Sequence, residues 1–180
     1  PAPSEVTDVT TFPALALVAL PRWAKAVSAR QGMSARALEF VVLTCARSGE
    51  ARGATWDEID LERALWTIPA QRMKAKREHR VPLSEAAVAL LRRLPVMMGN
   101  PFVFPAPRGG ELSDMALSQT MRRVHEADLD GGFFDEQSKR PAVPHGLRST
   151  FRDWVSEETN YPNEMAEVAL AHKISNAVEA

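Results

Sequence analysis

The run "ARALEFVVLTCAR", residues 35–47, constrains this chain more than any other stretch. At helical spacing its apolar side chains fall almost all the way round the axis, so a helix here has no solvated face. Such a helix is stable only when other elements wrap it, and Ser34 can cap its start. A chain of 180 residues is long enough to supply that wrapping from one domain. Around the central helix the pattern predicts a short helix over 14–30. Ser84 caps a second, "EAAVALLRRL", with Val88, Leu91 and Leu94 on one face and Pro95 as its stop. Ser113 starts a third, "DMALSQTMRRVHEA", with Leu117, Met121 and Val124 inward. A last helix starts near Asn163 and runs off the end. "LWTIP" alternates as a strand does, and "AQRMKAKREHRVPLS" reads as a hairpin whose far strand is "HRVPL". The expected class is α+β, mainly helical, with a small antiparallel sheet. Residues 1–13 form a linker or arm, residues 14–180 the domain, and a polar loop covers roughly 128–144.

Several functions are excluded or narrowed at this stage. No apolar run approaches the ~18–20 residues of a membrane span, and the start lacks the basic segment of a signal peptide. The single cysteine, Cys45, lies in the apolar run. That predicts a buried thiol in a reducing, cytoplasmic setting, without a disulfide framework or thiolate metal site. There is no His/Cys/carboxylate metal spacing, no glycine loop for phosphates and no serine elbow, so no metal and no cofactor is expected. Asp128, Asp130 and Asp135 flank a glycine pair in an order that does not fit a calcium loop. The net charge is −1, so any nucleic-acid function must rest on local clustering.

Clusters do occur. In "PHGLRSTFRDW", helical spacing places His145, Arg148 and Arg152 within about 60° of one another, with Leu147, Phe151 and Trp154 on a separate apolar face. This is either a solvated basic face or a helix start that receives an anion. "RMKAKREHR" gathers Arg72, Lys74, Lys76, Arg77, His79 and Arg80 at a hairpin tip against Glu78 alone. Such a tip suits backbone phosphates, or protects a sheet edge by charge. In "CARSGEARG", Arg47 ends the buried helix with Glu50 three residues on, a simple ion pair or a guanidinium oriented for phosphate. His172 in "ALAHK" can satisfy a carbonyl or donate to a phosphate oxygen.

In order, "LTCARSGEARGATWDEID", "WTIPAQRMKAKREHRVPLS", "PHGLRSTFRDW" and "LAHKISNAVEA" resemble the catalytic domain of the tyrosine recombinase (phage integrase) family, of the type found in prophages and genomic islands. The resemblance implies the family's fold and its chemistry, site-specific DNA breaking and rejoining through a 3′-phosphotyrosyl intermediate. It implies double-stranded DNA as partner and a homotetramer on DNA for the parent protein. By resemblance Arg47 and Arg148 clamp the scissile phosphate, Glu50 supports Arg47, and Lys74 protonates the leaving 5′-oxygen. His145 aids proton transfer at the nucleophile and His172 hydrogen-bonds the phosphate. Arg72, Lys76 and Arg77 are expected to touch DNA. The covalent intermediate keeps the phosphodiester energy, so neither metal nor nucleotide is required.

One family element is missing. The nucleophilic tyrosine follows the later histidine, and the family's spacing from His172 lands just past Ala180. Tyr161, the only tyrosine, precedes His172 in a turn-like segment and is on the wrong side of the motif. The expectation is a catalytic domain cut short of its nucleophile and without the amino-terminal core-binding domain. Two rivals share the sequence pattern: a DNA-binding module that kept the fold without the chemistry, and an unrelated helical interaction domain with solvated charges.

Overall fold

Helix α2 (Met33–Thr44) runs through the centre of the domain, as its all-round apolar surface requires. The computed structural model describes residues 12–172. Ala35, Ala37, Leu38, Phe40 and Val41 of α2 are buried. Helices α1 (Leu20–Ser28), α3 (Ser48–Arg52), α4 (Glu85–Arg92), α5 (Ala116–Glu126) and α6 (Leu147–Glu158) all pack on it. Phe40 joins this helical layer to the rest of the core, its ring centroid 5.0 Å from Trp66 and 5.4 Å from Phe104. Burying a side chain of this size stabilises by roughly 1.5–3 kcal/mol, so this aromatic trio is a principal joint between layers.

The ends of α2 differ from the sequence expectation. Gly32, with φ 101°, occupies the N-cap, and Ser34 lies inside the first turn. The start is set by Arg36, whose guanidinium donates to the carbonyls of Val27, Ser28 and Arg30 at 2.9–3.0 Å. Those carbonyls are at and just beyond the end of α1, so one side chain closes the α1–α2 corner. At the other end Cys45 turns left-handed, φ 55°, and Arg47 becomes the N-cap of α3 instead of the last residue of α2.

The sheet has three antiparallel strands in the order β1 (Ile59–Asp60), β2 (Leu65–Ile68), β3 (His79–Pro82). Trp66 pairs with Val81 and Ile68 with His79. Trp66 and Ile68 are buried while Leu65 and Thr67 are half-buried, the alternation that "LWTIP" foretells. Between β2 and β3 the chain makes a longer excursion, residues 69–78, that opens with a 3-10 turn at Ala70–Arg72. Ser84 caps α4 as expected, its Oγ accepting from the Ala87 N–H at 3.3 Å. Helix α5 starts three residues after Ser113 and buries Leu117, Met121 and Val124. The 128–144 loop is less polar in place than in composition, because Phe133 and Ala142 are buried.

Helix α6 follows a 3-10 turn at Pro144–Gly146, so His145 is not on the helix proper. Its buried residues are Leu147, Arg148, Thr150 and Val155, whereas Trp154 is exposed and Phe151 only half-buried. The supposed outer basic face therefore contributes Arg148 to the interior. Backbone carbonyls elsewhere in the fold satisfy what is polar there. The Thr150 hydroxyl, for instance, donates to the Leu15 carbonyl at 2.8 Å and accepts from the Leu15 N–H at 3.0 Å.

That contact belongs to a strap, residues 12–16, laid over the start of α6. Pro13 is buried, and its carbonyl accepts from the Val143 N–H at 3.1 Å. The Ala14 N–H donates to Asp135 at 3.0 Å. The expected arm, 1–13, thus packs as part of the domain at Phe12 and Pro13, and its remainder lies outside the described residues. Helix α7 (Asn163–Ala169) also departs from expectation, ending before His172 instead of running on. Ala171 is left-handed, φ 50°, its N–H donates to Val168 and the His172 N–H donates to the Glu167 carbonyl, each at 2.9 Å. This is the Schellman closure with alanine where glycine is usual. "KISNAVEA" lies outside the described residues.

A Cβ on Gly146 would sit 1.8 Å from the Pro13 carbonyl oxygen, so no side chain fits beneath the strap. Gly146→Ala should destabilise by about 1–3 kcal/mol in urea unfolding, the usual cost of overpacking. Gly49→Ala, whose Cβ would meet only Arg52 at 3.8 Å, should be neutral or mildly stabilising.

Candidate active site

The site is built around a buried arginine. Arg148 enters from the first turn of α6 with 5% of its surface exposed. Its Nη1 donates to the Cys45 carbonyl at 2.5 Å and its Nη2 to the Leu170 carbonyl at 2.6 Å. Both carbonyls are available because each precedes or occupies a left-handed break, at Cys45 after α2 and at Ala171 after α7. Burial, together with the nearby Arg47 charge, pulls the Arg148 guanidinium down to about 10, still charged at neutral pH. The Cys45 thiol is pushed up to about 12 by burial, so it stays a protonated, unreactive thiol.

Arg47 reaches the same place from the N-cap of α3. Glu50, itself buried, accepts from the Arg47 backbone N–H and from its Nη1, each at 2.8 Å. One carboxylate thus fixes both the backbone and the guanidinium, and a guanidinium has further donors to offer. His172 comes from the end of α7. Its Nε2 is 3.0 Å from Arg148 Nη2, and its Nδ1 is 2.6 Å from Glu167 Oε2. The other Glu167 oxygen pairs with Arg152 Nε at 3.1 Å.

His145 is exposed and rests on the Phe12 ring, centroids 4.3 Å apart. Partial burial of the ring lowers its affinity for a proton, and the neighbouring Arg148, Arg47, His172 and Lys74 lower it further. Four of the residues singled out in the sequence thus lie close enough to act on the fifth, the His145 imidazole. His79, counted only as part of a basic run, stands nearby. Burial depresses it first, Glu50 offsets part of that, and Arg47 and Arg148 add to the depression. Sequence reasoning passed over it because nothing in "KREHR" tells which of its residues pairs with a buried Ile68.

The hairpin residues divide. Lys74, Lys76 and Arg77 are exposed, Lys76 in a left-handed turn with φ 53°. Arg72 is turned inward and is placed otherwise than expected for a DNA contact. Its guanidinium is taken up by the Glu58 carboxylate and the Glu50 carbonyl, while Glu58 also accepts from Trp66 Nε1 at 3.0 Å. Arg72 therefore ties the base of the hairpin to α3 and the sheet. Tyr161 lies exposed between α6 and α7. Among the described residues no group of three or more His, Cys, Asp or Glu is arranged to hold a metal ion, and no helix is long and apolar enough to cross a membrane.

A central helix wrapped by α-helices, with a three-stranded antiparallel sheet and a long hairpin beside it, is the catalytic-domain fold of a tyrosine recombinase. The chain belongs to the phage integrase family, whose model matches residues 18–180. It is 38% identical to prophage integrase IntA of Escherichia coli (strain K12) over 148 residues, 81% of this chain and 33% of that protein. It is 30% identical to the integrase of Enterobacteria phage P4 over 191 residues, 97% of this chain and 41% of that protein. The chain thus spans roughly a third to two fifths of the curated relatives it matches. Among solved structures, a lambda integrase tetramer bound to a Holliday junction superposes with a TM-score of 0.67 at 19% identity, covering 93% of this chain and 48% of that one.

Arg47→Gln removes a positive charge that bears on both His145 and His79. In an NMR titration both midpoints should start below the ordinary histidine value of about 6.5 and both should rise in the variant. Midpoints that ignore the substitution would place Arg47 apart from the pocket.

Proposed function

We propose that this domain holds the scissile phosphate of double-stranded DNA in a site-specific recombinase or integrase that works as a tetramer on its DNA, in the cytoplasm. The observation that carries the reading is the crowding of Arg47, Lys74, Arg148 and His172 around His145. A partly buried cluster of cations with two carboxylates, Glu50 and Glu167, each already paired, is stable when an anion fills it. With a net charge of −1 over the whole chain, attraction for phosphate rests on this local cluster.

In this reading Arg47 and Arg148 donate to the non-bridging oxygens. They stabilise the charge that grows there as a tyrosine hydroxyl, supplied downstream of His172 as the family has it, attacks phosphorus. The P–O5′ bond breaks as the tyrosyl bond forms, and Lys74 gives its proton to the departing 5′-oxygen. His145, its proton affinity lowered by burial and by its cationic neighbours, is ready to accept the tyrosine proton. Lys76 and Arg77 on the exposed hairpin neutralise flanking phosphates. Attack of a second strand's 5′-hydroxyl on the phosphotyrosine reverses these steps, with no outside energy source.

Lys74 gives the sharpest test. In the full-length protein, Lys74→Ala should slow formation of the covalent DNA adduct by roughly 10²–10⁴-fold. A substrate whose leaving oxygen is replaced by sulfur needs no acid and should restore the rate. Arg148→Ala should fail with both substrates, and a full-length protein that forms no adduct under any condition would leave a DNA-binding module as the answer. In the chain itself, Lys76→Ala or Arg77→Ala should each reduce the salt dependence of duplex binding by about one counterion.

A further inference from the structure

Resting on the phosphate-site reading above, the geometry points to Glu167 as the positioning residue and counter-ion that lets His172 take up a proton when a phosphodiester enters the pocket. A guanidinium has donors and no acceptor, so the 3.0 Å contact of Arg148 Nη2 with His172 Nε2 requires Nε2 to be the unprotonated nitrogen. The ring proton is then on Nδ1, which donates to Glu167 Oε2 at 2.6 Å. With these partners the ring is neutral and presents a lone pair toward Arg148. A phosphate oxygen is also an acceptor. When it draws Arg148 Nη2 to itself, the Nε2 lone pair and the oxyanion face each other with no hydrogen between them.

A proton on Nε2 removes that conflict. It comes from solvent, adds one N–H to the ring, and gives the phosphate a charged donor. The groups facing His172 decide whether the imidazolium can be held. Arg148 on α6 touches the ring and Arg152 holds its carboxylate partner; His145, which also feels Arg47 and Lys74, precedes α6, His79 on β3 reaches Ala169, and Glu50 is engaged by Arg47. Glu167 supplies the only carboxylate hydrogen-bonded to the ring among the described residues. It is also built for the task twice over, since its backbone carbonyl accepts the His172 N–H at 2.9 Å. Arg152 on the second oxygen keeps the carboxylate aimed. One proton is then gained for each phosphate bound, and affinity should fall by no more than tenfold per pH unit as pH rises.

The test uses the 180-residue chain, labelled with 15N, and a short DNA duplex at constant salt. In the free chain, His172 should give the signature of a neutral ring protonated at Nδ1. With saturating duplex at slightly alkaline pH it should give that of an imidazolium. Glu167→Ala should leave the bound ring neutral and flatten the pH dependence of duplex affinity. Glu167→Gln should do the same while keeping the ring ordered, which separates charge from placement. A bound ring that stays neutral while the Arg148 and His145 signals shift overturns the proposal alone. An imidazolium that forms equally well in Glu167→Gln also overturns it. A duplex that moves none of the three signals overturns the phosphate-site reading, and the proposal with it.

Discussion

Arg148 is the pin of this domain. A charged group with so little exposure is tolerated only when its N–H groups are met, and here two main-chain carbonyls meet them. The carbonyls come from places far apart in sequence: the break after α2 and the end of α7. The same guanidinium thus draws the central helix, α6 and α7 to one point. Removing it leaves two buried carbonyls without donors as well as a cavity, so its loss would be felt in folding as much as in chemistry. The neighbouring Arg47–Glu50 and His172–Glu167 pairs then have fixed positions from which to face the same space.

The electrostatic plan follows from that convergence. Positive charge is concentrated where helix and strand ends meet, while the rest of the chain balances it to near neutrality. Each pocket carboxylate is engaged on its own element: Glu50 closes the start of α3, and Glu167 closes the end of α7. They hold cations in place without filling the pocket. Burial, and then the cations, lower the proton affinity of His145 and His79, which favours the neutral form of both rings.

Much of this was legible in the residues. The all-round apolar pattern located α2 and the alternation of "LWTIP" located β2, while it was the family resemblance that named Arg47, Lys74, His145, Arg148 and His172 together. The remainder turned on tertiary contacts that carry no local signal. Arg36 moved the start of α2 by bonding to carbonyls behind it. Arg72 looked like its neighbours in a basic run until Glu58, fourteen residues upstream, claimed it. The faces of α6 were misjudged because helical spacing counts charged residues as outward, whereas Arg148 and Thr150 find their partners inside. The end of α7 was hidden because an alanine, not a glycine, adopts the left-handed turn.

The strap over α6 has one more effect. Phe12 is seated on the His145 ring, Pro13 crosses directly above Gly146, and Leu15 is bonded twice to Thr150. These contacts tie residues 12–16 to the turn that carries His145, so the ring that faces the cationic cluster takes its seat from a segment more than a hundred residues away in the chain.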